Sequence, residues 1–156
     1  MLSGVFRLRL VRKVRSLLDY IENPALIAAS VKKYPMEFVR ILFEIKKFYP
    51  YINNIFDIGA ATGNFVLAAH FVFPEANIFA FEPLPEKVDI LKKIYERHKI
   101  SGEVYNFALA SVEGYANFFQ MEYTDSSSIL EPDEGLFDLF GKKASYEKNN
   151  CYEEKV

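Results

Sequence analysis

Asp57-Ile58-Gly59-Ala60-Ala61-Thr62-Gly63-Asn64 decides the reading of this chain: an acidic residue, then two glycines separated by three residues. The run leading into it, Ile55-Phe56-Asp57-Ile58, is short, apolar and rich in β-formers, which predicts a buried strand. A helix is expected after it, from Thr62 to Phe73, stopped by Pro74. Gly59 and Gly63 therefore stand where the chain leaves a strand and enters a helix, through φ angles closed to other residues. The free N–H groups at such a helix start point outward and suit a carboxylate or phosphate.

Asn77 to Glu82 reads as a second apolar strand whose last residue is acidic. Pro83 and Pro85 open the next helix, with Val88, Leu91, Ile94 and Tyr95 on its buried stripe and Lys92, Lys93, Glu96 and Arg97 on its wet one. Val104 to Phe107 would be the third strand. Strands and helices alternating in this way predict an α/β fold, a Rossmann-like parallel sheet with helices on both faces. Ligands in such sheets bind at the carboxyl ends of the strands, and Asp57 and Glu82 both fall there.

The flanks divide near Pro50 and Pro132, giving a helical lead-in (1–50), a central α/β unit (51–131) and a polar tail (132–156). In the lead-in, Pro35 suits a helix first turn, and Phe38, Ile41, Leu42, Ile45 and Phe48 recur at helical spacing as its buried face. The tail carries the acidic stretch Glu131 to Glu134, then Leu136, Phe137, Leu139 and Phe140.

A chain of 156 residues that is 51% hydrophobic, with 15 Phe and 10 Tyr, has the material for one core and is too apolar for disorder. Its formal charge of −2 gives no whole-molecule attraction to nucleic acid. Arg7, Arg9, Arg12, Lys13 and Arg15 do crowd the N-terminus among apolar residues, which reads as a solvated helix face, with peripheral contact to an anionic membrane as the rival. No apolar run reaches the roughly 20 residues of a membrane span, and Arg7 and Arg9 interrupt a signal-peptide core, so a cytoplasmic location is expected. Cys151 is the only cysteine, and His70 and His98 fall in different predicted helices, so no metal site is expected.

Glu82 lies 25 positions after Asp57. Read alone, a glutamate before Pro83 serves equally as a helix cap. Paired with the glycine turn, its carboxylate is placed to accept hydrogen bonds from both hydroxyls of an adenosine ribose. Nicotinamide dinucleotides require Gly-x-Gly-x-x-Gly, whose middle glycine admits the pyrophosphate, and the spacing here does not match it. A sulfonium cofactor has no pyrophosphate, and its ammonium suits a carboxylate such as Asp57. The adenosine cofactor these residues favour is S-adenosylmethionine.

The stretch IFDIGAATGNFVLAAHFVFPEANIFAFEPLPEKVDILKK, followed by NFALASVEGYANFF and then SSSIL, resembles the FkbM family of S-adenosylmethionine-dependent methyltransferases over roughly residues 54 to 131. Several members are O-methyltransferases acting on natural products or glycans, so the resemblance implies transfer of a methyl group to a hydroxyl of such a small molecule. It implies that Asp57, Gly59 and Gly63 line the methionine end of the cofactor, that Glu82 holds its ribose, and that Ala60 and Pro83 belong to the same cofactor-binding set. Asn106 to Ala108 would lie beside its adenine, and Ser126, Ser127 and Ser128 would face the substrate. The class I methyltransferase sheet has strand order 3-2-1-4-5-7-6, and the Asp-x-Glu-Gly segment that borders the reaction centre in the family has no counterpart here. The expected fold is therefore incomplete: the first three strands plus a short hairpin, with an open edge at strand one that invites self-association. No catalytic base can be named, since Glu122 and Asp125 read as solvated. Two functional expectations follow, a methyltransferase of FkbM type and a non-catalytic remnant or split subunit that needs a partner chain.

Overall fold

Among the described residues, α1 (Ala25–Val31) and α2 (Met36–Phe48) lead in before strands and helices alternate: β1 (Asn54–Ile58), α3 (Asn64–Val72), β2 (Asn77–Phe81), α4 (Pro85–His98) and β3 (Gly102–Tyr105). The computed structural model describes residues 20–21, 23–119 and 151–155. The three strands form a parallel sheet in the order β1-β2-β3. Asp57 lies opposite Ala80, Ile58 opposite Phe81, and Phe81 opposite Tyr105, so Asp57 and Glu82 reach the same end of the sheet. This is the α/β, Rossmann-like arrangement that the alternation predicts.

The period-two alternation of strands sorts the sheet's faces. Ile78 and Ala80 are fully buried in the core with Val39, Val66, Ala68, Ala69 and Leu91, and Ile55 and Val104 pack against the same cluster. The intervening residues face the other way: Phe56 and Ile58 are 62% and 65% exposed. Phe56 stacks on Phe79 with ring centroids 5.3 Å apart, and Phe81 on Tyr105 at 5.0 Å, forming an aromatic row across the strands. The helices in the core cluster thus lie against one face, and the covering expected on the second face is not part of the described residues.

Aromatic edges join the lead-in to the sheet helices. Phe38 of α2 meets Phe65 of α3 edge-on at 5.7 Å, and Phe43 meets Phe71 at 6.2 Å. These contacts fix which side of α2 turns inward, and it is not the predicted one throughout. Val39 and Leu42 are buried and Lys46 bonds to the Val72 carbonyl, whereas Ile41 and Phe48 of the expected face are 58% and 79% exposed. The five predicted positions do form one stripe, about 120° wide at 100° per residue, but the contacts with α3 bury the neighbouring arc through Val39, Leu42 and Lys46 instead. On α4, Val88, Leu91 and Tyr95 are buried as expected. The buried Tyr95 hydroxyl donates to the Ile78 carbonyl at 3.0 Å, fastening α4 to β2.

β3 begins at Gly102, two residues before the strand the sequence predicts, because Gly102 permits an unusually close approach. A Cβ there would stand 1.8 Å from the Ile78 carbonyl oxygen, with φ at +124°. β4 (Tyr115–Phe119) belongs to the expected antiparallel pair, but its partner is β5 (Cys151–Lys155), from the stretch read as a polar tail, rather than a neighbouring strand.

Candidate functional site

β1 ends at Ile58 and the chain turns on Gly59 (φ +76°). The Gly59 and Ala60 amides both donate to the Phe81 carbonyl, at 2.9 and 3.0 Å, which ties the turn to the end of β2. The Gly63 amide donates to the Ala60 carbonyl at 2.8 Å and closes the loop. The two glycines then differ in what their missing side chains permit. At Gly59 a Cβ would meet nothing within 4 Å, so the strand end is open to an approaching ligand. At Gly63 (φ +79°) a Cβ would come within 2.9 Å of Ile94 Cδ1 and 3.0 Å of Leu91 Cδ2, so that glycine serves close packing of the α3 start against α4.

Glu82 follows directly on β2 and is only 3% exposed. Its Oε2 accepts from the Ala61 amide at 2.8 Å and its Oε1 from the Leu84 amide at 3.0 Å. Such bonds to backbone N–H groups are what keep a buried carboxylate tolerable. The Leu84 bond lies just ahead of α4, on its N-cap residue and not on an amide of its first turn, so Glu82 does not cap the helix, while the Ala61 bond clamps it to the glycine loop. Asn106 completes the corner: its Nδ2 donates to the Pro83 carbonyl at 2.6 Å and the Glu82 carbonyl at 3.2 Å.

Asp57 contrasts with Glu82. Its Oδ2 is buried and has no hydrogen-bond partner. Burial, and then the negative charge of Glu82, push its carboxyl up to about 6. An unpartnered buried acceptor is costly and is rarely left so without a use. The pair therefore presents one carboxylate with a backbone donor on each oxygen and one with an oxygen in want of a donor, both beside the open Gly59 turn. A cationic N–H donor is the chemistry that would satisfy Asp57, and an ammonium group fits that requirement.

The remaining expected residues take different places. Ala60 and Pro83 are buried beneath the corner. Ala108 lines a recess of about 290 Å³ built from Phe107 to Glu113, which neither carboxylate borders. A larger recess, about 370 Å³, lies between Lys46, Tyr51, Asn53 and Phe73 at the opposite end of the strands. The carboxylates and the glycine turn identify the candidate site better than hollow size does, because they carry the chemistry. Sequence reasoning missed Ala61 and Leu84, which act only through backbone amides and leave no side-chain signal.

Over 60 residues the chain is similar to a methyltransferase. That relative is the 31-O-demethyl-FK506 methyltransferase FkbM of Streptomyces tacrolimicus, 37% identical across a stretch covering 38% of this chain and 23% of the relative. The likeness thus spans less than a quarter of the relative's length. No protein-family model matches the chain.

His70 and His98 approach each other, for His98 adds to the burial that lowers the His70 imidazole, yet no group of three metal-binding side chains exists among the described residues. No helix among them is long and apolar enough to cross a membrane. The basic N-terminal cluster, Glu122, Asp125, Ser126 to Ser128 and Leu136 to Phe140 lie outside the described residues.

Proposed function

We propose that this chain carries the cofactor-binding part of an S-adenosylmethionine-dependent methyltransferase of FkbM type. The observation that carries the reading is the donorless Asp57 Oδ2 beside Glu82, at the carboxyl ends of adjacent parallel strands and next to the open Gly59 turn. The methyltransferase likeness over 60 residues supports it independently. In this reading Asp57 holds the cofactor's ammonium, Glu82 takes its ribose hydroxyls, and Gly59, Ala60 and Gly63 shape the turn beneath it. Asn106 and Ala108 border the adenine, and Pro83 adjoins the cofactor beside Glu82.

S-adenosylmethionine supplies an electrophilic methyl carbon when bound. The acceptor in this reading is a hydroxyl of a small molecule or glycan, held in line and near 3–3.5 Å from that carbon, and the chain's share of the work is positioning. The location is proposed to be cytoplasmic, with the basic N-terminus available for weak membrane contact.

The test exploits the ammonium. S-adenosylhomocysteine carries it and adenosine does not, so Asp57→Asn should weaken S-adenosylhomocysteine roughly tenfold or more, the scale of a charged hydrogen bond. Adenosine should bind both proteins alike. Equal affinity of S-adenosylhomocysteine for both would remove Asp57 from the site.

A second reading has its own observation. β1 pairs only with β2 among the described residues, and Phe56 and Ile58 beside its open edge are exposed. Such an edge favours a split subunit or remnant that associates with another chain or with itself. Light scattering across a concentration series tests this: growth in mass that Phe56→Lys reduces supports association through this face, and a monomer at all concentrations opposes it.

A further inference from the structure

Glu82 is the residue to which the proposed function gives a ligand's hydroxyls, yet its carboxylate is already in use. Ala61 and Leu84 donate one amide to each oxygen, and with 3% of the residue exposed little room is left for a ligand hydroxyl at the carboxylate while the loop stays as it is. The two donors are not equivalent. Leu84 sits two residues on, at the start of α4, in a position fixed by the chain itself. Ala61 comes from across the site, at the tip of a loop whose base is anchored twice to the Phe81 carbonyl through Gly59 and Ala60. Ala61 also has φ of +46°, the left-handed region that disfavours an alanine. Of the bonds that hold the loop closed, the one from Ala61 to Glu82 is the one a ligand hydroxyl could replace, and the backbone strain at Ala61 opposes it, while Gly59 leaves open space beside it.

We infer that the Ala61 amide is a stand-in for a ligand hydroxyl and that the 59–63 loop is a gate opened by a vicinal diol. This rests on the ribose role proposed for Glu82. Breaking the Ala61 bond strands a buried carboxylate oxygen, which is costly unless a new donor arrives. A ribose bearing both hydroxyls supplies it, and a sugar lacking them does not, so the exchange makes the site selective for the intact diol. A site whose polar group would be left unpaired rejects such an analogue far more strongly than a merely apolar pocket does.

The experiment uses the full chain labelled with nitrogen-15, adenosine and 2′,3′-dideoxyadenosine as probes, and calorimetry as a separate measure of binding. In the free protein the Ala61 amide proton should resonate far downfield, as a donor to a carboxylate. Saturating adenosine should move it upfield while the Leu84 amide stays downfield, and dideoxyadenosine should leave both in place and bind at least roughly tenfold more weakly. Adenosine binding with the Ala61 resonance unmoved would overturn the gate and leave the ribose role standing. Dideoxyadenosine releasing Ala61 as well would overturn its dependence on the diol. Failure of the folded chain to bind adenosine would overturn the ribose role, and the gate with it.

Discussion

Asn106 braces Pro83: its side-chain amide donates to the Pro83 carbonyl at 2.6 Å and to the adjoining Glu82 carbonyl at 3.2 Å, so a residue beyond β3 sets the course of the chain leaving β2. The resemblance to methyltransferases assigns this asparagine to the adenine side of a cofactor, but the brace exists in the protein alone. Asn106→Ala should therefore cost about 1 kcal/mol of stability without any ligand, the net worth of such hydrogen bonds at a partly exposed position. For a chain of this length that lowers the melting temperature by roughly 2–4 °C. An unchanged melting temperature would show that the brace contributes nothing to the fold.

Asp57 makes stability depend on pH. Its carboxyl is pushed from 3.8 to about 6, so the folded state binds its proton more tightly than the unfolded chain does. A group raised in this way contributes stability that is fully present below pH 3.8 and lost as pH rises through about 6. The full loss corresponds to about 3 kcal/mol by the standard conversion, and somewhat less here because water still reaches part of the residue. Asp57→Asn should remove this dependence: urea denaturation should find it more stable than the wild type at pH 8 and no more stable at pH 3.5. A variant equally destabilised at both values would mean that the aspartate's burial is relieved in solution.

The glycines should separate by role. Gly59→Ala meets open space and carries only the left-handed backbone penalty, about 1–2 kcal/mol, so the chain should fold and lose ligand affinity. Gly63→Ala adds crowding against Ile94 and Leu91 to the same penalty and should cost about 2–4 kcal/mol. Gly102→Ala drives a methyl into the Ile78 carbonyl, a backbone atom that cannot step aside without parting β2 from β3, and should prevent folding. Circular dichroism with thermal denaturation ranks the three, and a Gly102→Ala protein as stable as Gly59→Ala would contradict the strand register.

The different fates of these glycines show what was legible in the sequence. Gly59 and Gly63 declare themselves because an acidic strand end precedes them, and β1, α3, β2 and α4 follow from runs bounded by Pro74, Pro83 and Pro85. Gly102 does not, since its reason is a carbonyl 24 residues away in sequence that only the folded sheet brings close. The pairing of β4 with β5 is hidden likewise, because a contact between Phe119 and Cys151 has no local pattern to announce it. In the site, Asp57 and Glu82 were readable as carboxylates at strand ends. The amides of Ala61 and Leu84 that occupy Glu82 were not, because every residue except proline has one.

Titration calorimetry of the folded 156-residue chain with S-adenosylhomocysteine, alongside Glu82→Gln, decides whether Glu82 holds a bound cofactor. Glutamine is the better substitution because its one oxygen still accepts from one of the Ala61 and Leu84 amides, whereas alanine would strand both and confuse stability with binding more severely. The wild type should bind saturably, with affinity weakened in Glu82→Gln by roughly tenfold to a hundredfold, the scale of hydrogen bonds to a charged group. A folded wild type that releases no binding heat and shows no ligand-induced rise in melting temperature would contradict that role of Glu82, as would equal affinity in the two proteins.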